Sequence, residues 1–215
     1  MLKSMKLLLR ISSILILVLS SCATNKVVKD YKAVPLEKSS LEVTYFSDPT
    51  IDYVYKANIT VYGKELTGIF IAKKINDTTH RVVLTTEFGN KLLDFEISET
   101  DFKVNFILEE LDRKMLINTL VTDFRLLLRS HYNIIDQYEN DENTVYLALD
   151  KSRINHLFVS KSTNRLSQIV HSSKRKEKIK LFFTAKNNIF AENIVIQHQN
   201  IKLKIELNYF NQQAN

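Results

Sequence analysis

KLLDFEISETDFKVNFILEELDRKMLINTLVTDFRLLLRS, residues 91–130, carries two different hydrophobic periods side by side. Leu93, Phe95 and Ile97 alternate with Asp94, Glu96 and Ser98. Phe102, Val104, Phe106 and Leu108 alternate with Lys103, Asn105 and Glu109. Period two sends successive side chains to opposite faces of a strand, so each run reads as a strand with one apolar face. From Asp112 to Ser130 the period lengthens. Leu116, Leu120, Phe124 and Leu127 then fall on one stripe, widened by Ile117, Val121 and Leu128, which is helical spacing. The stretch predicts two strands joined at Glu99-Thr100-Asp101, followed by an amphipathic helix over 112–130. Asp112 is the expected N-cap, and Arg125 and Arg129 suit the negative end of the helix dipole.

Outward from this stretch the period of two dominates. Ile201, Leu203, Ile205, Leu207 and Tyr209 alternate with Lys202, Lys204, Glu206 and Asn208. Less regular strands fit Tyr53–Tyr62, Leu66–Ile75, His80–Phe88, Asn143–Leu149, Asn155–Ser160, Arg165–His171, Lys178–Thr184 and Phe190–His198. The gaps are short and rich in turn formers, such as Tyr62-Gly63-Lys64, Asn76-Asp77-Thr78, Gly89-Asn90 and Asn187-Asn188. Strands joined so tightly are antiparallel neighbours. The expected class is mainly β with some α. It is a curved antiparallel sheet, or half-open barrel, of roughly ten strands, with one amphipathic helix packed on or in it. A weaker helix is expected near Leu36–Glu42.

The N-terminal end has a separate grammar. MLKSMKLLLR is basic, ISSILILVLS is apolar, and the chain's single cysteine follows at Cys22. A basic segment followed by a short apolar one is the layout of a secretory signal, and the apolar run falls short of the about 20 residues that span a bilayer. Leu19-Ser20-Ser21-Cys22 resembles the lipobox of bacterial lipoproteins. That resemblance implies cleavage between Ser21 and Cys22 and acylation of the Cys22 thiol. Two or more acyl chains hold a protein on a membrane where one does not. The expected division is therefore a signal peptide over 1–21, a lipidated N-terminus and flexible tether over 22–40, and one antiparallel β half-barrel domain over 41–215. Once Lys3, Lys6 and Arg10 leave with the signal, the formal charge drops from +6 to +3. So mild an excess does not point to nucleic acid. The basic run Lys174-Arg175-Lys176-Glu177-Lys178 reads as a solvated hairpin tip, or as a contact for anionic headgroups at about 1 kcal/mol per base.

No nucleophile elbow, H-E-x-x-H or glycine-rich phosphate loop occurs. His80, His131, His156, His171 and His198 lie far apart, and none has a partner at metal-ligand spacing. Glu109, Glu110 and Asp112 stand where a strand ends and a helix begins, so they read as capping charges. No catalytic residue, metal or cofactor is expected, and the chain reads as a non-enzyme.

TTEFGNKLLDFEIS, DFKVNFILEEL and the helix ending in LLLR together resemble envelope lipoproteins of the lipoprotein-carrier and receptor (LolA/LolB-like) fold. The order of anchor, tether, strands, helix and strands agrees over most of Tyr45–Phe210. The resemblance implies a half-open barrel enclosing an apolar cavity for acyl chains, on the periplasmic face of the outer membrane. Phe95, Val104, Phe106, Leu116, Leu120 and Phe124 are the expected lining. The chain departs from the receptor type in having no tryptophan. The partners implied are a membrane through acylated Cys22, lipid or acyl chains, and other envelope proteins. The alternatives are an envelope interaction module whose core is filled, and a hydrolase of envelope material.

Overall fold

The alternating runs become strands, and turn chemistry decides which strands are neighbours. The structure, a computed structural model, describes residues 26–173 and 176–210. The first meander is β3 (Tyr53–Val61), β4 (Lys64–Lys74), β5 (Thr79–Thr85), β6 (Lys91–Ser98) and β7 (Phe102–Ile107). Helix α1 (Lys114–Leu128) follows. The second meander is β8 (His131–Glu139), β9 (Asn143–Asp150), β10 (Arg153–Ser160), β11 (Leu166–Ser173), β12 (Lys176–Ala185), β13 (Ala191–His198) and β14 (Leu203–Tyr209). Two short strands, β1 (Lys32–Val34) and β2 (Ser40–Glu42), precede both and pair with β8.

The last strand joins the meanders. β14 lies antiparallel to β3, from Leu203 opposite Val61 to Tyr209 opposite Tyr55. The fourteen strands among the described residues thus form one sheet, in the order β1-β8 through β14, then β3 through β7, with β2 beside β8. The sheet curves without closing. Its far sides, β7 and β8, are joined in sequence through α1, so the helix lies within the curve. Leu120, Val121, Phe124, Leu127 and Leu128 pack there against Phe70, Phe95, Leu157, Leu181 and Ile205 in one continuous core. Burying each such side chain stabilises by about 1.5–3 kcal/mol.

Gly68 shows how closely the backbones approach. A Cβ at this position of β4 would stand 2.1 Å from the carbonyl oxygen of Thr85 on β5, so no other residue fits without moving a strand.

Several expectations change. Residues 26–40, read as part of a flexible tether, lie against the sheet. Val28 is buried against Val145, Leu147, Phe158 and Val170 on the outer face. Tyr31 meets the Phe158 ring edge-on at 5.8 Å, and the Glu37 N–H donates to Gln137 Oε1 at 3.1 Å. Apolar residues scattered through a polar stretch thus cover a second, smaller core. The helix expected near Leu36–Glu42 is instead strand β2, whose backbone is satisfied by pairing with β8. Asp112 does not cap α1. A 3-10 turn over Glu109–Leu111 ends at Asp112, and Arg113 is the N-cap residue, without a side-chain cap. Ser21 and Cys22 lie outside the described residues, as do Lys174 and Arg175 of the basic run.

Candidate functional site

The inner face of β3, β4 and β14 presents alternate apolar side chains to α1, and they do not fill the space beneath it. Ala57, Ile59 and Val61 of β3, Leu66 and Phe70 of β4, and Leu203, Ile205 and Leu207 of β14 form one wall. Leu116, Leu120 and Phe124 of the helix form the other, with Leu84, Leu92, Leu93 and Leu111 at the sides. Gly68 and Thr67 complete the lining, and Thr67 is its one polar side chain. The volume of this space is about 100 Å³. An apolar cavity of about 150 Å³ stays dry and takes one benzene-sized molecule, so this space holds only a short run of methylenes.

The cavity reaches solvent at the end where β3 turns into β4. Val61, Leu66, Leu111 and Leu116 are all partly or fully exposed there. Exposed apolar side chains stand at the same end. Tyr62 lies in the β3–β4 turn, Met115 in the first turn of α1, and Phe88 in the β5–β6 turn is 94% exposed.

The six residues expected to line the cavity divide into three groups. Leu116, Leu120 and Phe124 line it. Phe95 is fully buried but packs elsewhere in the core, on β6 opposite Val82 and Val104. Val104 and Phe106 are 36% and 40% exposed on β7, the sheet edge. Val104 still shares a face with Phe95 but lies beyond the helix's cover. Phe106 is turned to the other face by a bulge. Val104 pairs with Phe95, whereas Phe106 pairs with Asp94, so the period slips between them. On that outer face Arg81 grips Asp94 with two bonds, of 2.9 and 2.7 Å. The Lys91 amino group bonds Asp94 at 2.9 Å and stands 5.8 Å from the centre of the Phe106 ring. These cations hold the Asp94 carboxyl far below the usual carboxylate range, Arg81 contributing most.

Polar contacts secure the helix over the cavity. His198 Nε2 on β13 donates to both oxygens of Asp123 at 2.9 and 3.0 Å, and both side chains are buried. Burial pushes the Asp123 carboxyl above its ordinary range. Arg125 Nε donates to the Ser98 carbonyl at 2.8 Å. In the sequence His198 is an isolated strand residue with no visible partner. The one signal available there is an aspartate inside the helix's apolar stretch, which buries a charge unless the fold supplies a partner.

Among the described residues, no three His, Cys, Asp or Glu side chains stand close enough to hold a metal ion. No helix among them is long and apolar enough to cross a membrane.

No protein-family model matches the chain, and no curated protein does. Solved structures do. A LolA superfamily protein from Nitrosomonas europaea superposes with a TM-score of 0.50 at 13% identity, covering 76% of this chain and 86% of that one. A DUF1329 family protein from Desulfovibrio piger superposes with a TM-score of 0.46 at 13% identity, covering 74% and 84%. The first likeness is one of fold: a curved, unclosed antiparallel sheet with a helix inside it, as the sequence resemblance implied.

Proposed function

We propose that the chain is a non-enzymatic envelope lipoprotein, anchored through acylated Cys22 on the periplasmic face of the outer membrane, that takes acyl chains of lipid or lipoprotein beneath α1. The observation that carries this reading is the apolar cavity between α1 and strands β3, β4 and β14, open at one end among exposed Tyr62, Leu66 and Met115. An apolar rim around an apolar cavity is a surface suited to lipid rather than water. The fold shared with the LolA superfamily protein supports it. The anchor rests on Leu19-Ser20-Ser21-Cys22 and the segment before it.

The cavity's size sets the mechanism. At about 100 Å³ it holds a fragment of a chain, whereas pockets that enclose a whole ligand run from about 300 Å³ upward. Loading a full acyl chain therefore requires α1 to swing away from β3 and β14. The contacts to release are Asp123 with His198, and Arg125 with Ser98.

The same small volume favours a second reading, an interaction module with a filled core. A fluorescent fatty-acid probe decides between them. Uptake by the full chain, lost on Leu116→Trp at the cavity mouth with stability unchanged, supports the carrier. No uptake by the parent protein rejects it and leaves the filled module. Native mass spectrometry of the purified chain gives an independent reading through co-purified lipid.

A further inference from the structure

The opposite face of α1 borders a different space. A solvent-open cleft of about 560 Å³ lies between that face, the β6–β7 turn and the β9–β10 turn. Four cations line it: Arg125 and Arg129 from the helix, and Lys151 and Arg153 from the β9–β10 hairpin. Only two carboxylates, Glu99 and Asp150, face them, and Arg129 approaches both, at 3.6 and 3.8 Å. Arg125 is committed to the Ser98 carbonyl. Arg153 and Lys151 make no ion pair and no side-chain hydrogen bond among the described residues. The cleft thus carries two cations more than its carboxylates balance.

The base of the cleft is buried and polar. His171 lines it, and its Nδ1 donates to Asn155 Oδ1 at 2.7 Å. Asn155 is fully buried, and its amide nitrogen has no partner among the described residues. Buried polar atoms are nearly always bonded, so an orphan donor behind a basic cleft needs explanation. Burial and, after it, the charge of Arg153 lower the His171 pKa from 6.5 to about 4. His171 is therefore neutral at pH 7 and adds no charge to the cleft.

We propose that this cleft is a binding site for a phosphate-type oxyanion, held chiefly by Arg153 and Lys151. A monoester phosphate brings close to two negative charges near neutral pH, which matches the excess, and its three free oxygens suit a guanidinium fork and an ammonium together. A cleft whose cations outnumber its carboxylates, walled on the helix side by the apolar Val121 and Leu126, concentrates the field on such a ligand. The phosphate has two possible sources, a small soluble phosphate or the headgroup of a lipid. The site does not depend on acyl binding beneath the other face of the helix.

Calorimetric titration of the full chain in non-ionic detergent, with inorganic phosphate at low salt, tests the site. The parent protein is expected to bind. Arg153→Gln should weaken binding at least tenfold with an unchanged urea midpoint, since Arg153 is exposed. Lys64→Gln, an exposed cation at the start of β4, should leave binding unchanged. Saturation with phosphate should also raise the His171 pKa, read by NMR, because the charge of Arg153 is then neutralised. A parallel arm uses vesicles of phosphatidylcholine with and without phosphatidic acid, whose headgroup is a phosphate monoester. Binding of inorganic phosphate that Arg153→Gln abolishes identifies a soluble source. Sensitivity to Arg153→Gln seen only with phosphatidic acid vesicles identifies a headgroup. If neither probe binds, or if Arg153→Gln and Lys64→Gln weaken binding equally, the site does not exist and the interaction is general charge attraction.

Discussion

His198 Nε2, at the end of β13, donates to both carboxylate oxygens of Asp123 in the middle of α1, and the two side chains are 5% and 0% exposed. This pair joins the helix to the sheet beside the apolar core. Removing one partner of a buried pair leaves the other charge without compensation, which costs about 3–5 kcal/mol. His198→Ala should therefore lower stability by that order, measured by urea denaturation. Replacing both residues by leucine should recover most of the loss, because buried pairs are often matched by apolar groups of similar volume. If His198→Ala melts with the parent protein, the pair does not secure the helix.

Stability should fall on mild acidification. His80, His156 and His171 are buried, and burial lowers each pKa below its ordinary 6.5, that of His171 to about 4. The unfolded chain takes up protons near pH 6.5 where the folded chain does not. The contribution is thus fully present above that pH and is lost as pH falls toward 4. His171 alone accounts for about 3 kcal/mol across this window. Asp123 acts in the opposite sense, since burial raises its pKa and protonation relieves it. Urea midpoints at pH 7.5, 6 and 5 should decline, and His171→Gln should flatten the decline. A flat profile in the parent protein would show that these imidazoles are not held neutral by the fold.

Phe95 and Phe106 each fall on the apolar side of an alternating run in the sequence but occupy opposite environments. Phe95→Ala opens a void in the core and should cost about 3–5 kcal/mol. Phe106→Ala, at an exposed edge position beyond the β7 bulge, should cost under about 1 kcal/mol. Comparable losses would place Phe106 inside after all.

The pattern of residues foretells the fold wherever the period of two runs unbroken. Leu203, Ile205 and Leu207 are buried, as their alternation requires, and α1 differs from its expected span by two residues at each end. Bulges hide the rest. In β8 the register slips between Ile134 and Asp136, so that Tyr132 and Ile134 point inward, Ile135 is exposed and Gln137 is buried. No constant period describes that strand, so the sequence does not announce it. β1 and β2 are three residues long with at most one half-buried side chain each, too short to show any period. The site is legible in part for the same reason. Leu116, Leu120 and Phe124 lie on a continuous helix, whose period cannot slip, whereas Phe106 lies past a bulge. The basic cleft is not legible at all. Arg125, Arg153 and His171 stand on three elements distant in sequence, and only the curl of the sheet gathers them.

The faces of α1 supply the last prediction. Leu120 is buried and lines the apolar cavity, while Asn118, half a turn away, is exposed. Leu120→Asp places an unpaired carboxylate in the space bounded by Phe70 of β4 and by Ile205 and Leu207 of β14. It should destabilise by several kcal/mol. Asn118→Asp changes only a solvated position and should shift the urea midpoint little. The contrast also bears on function, because a charge at position 120 should exclude an acyl chain in whatever fraction remains folded. Fatty-acid uptake measured below the unfolding transition should be lost in Leu120→Asp and kept in Asn118→Asp. Equal midpoints for the two variants would mean that this face of the helix does not cover the core, and the cavity beneath it would lose its meaning as a binding site.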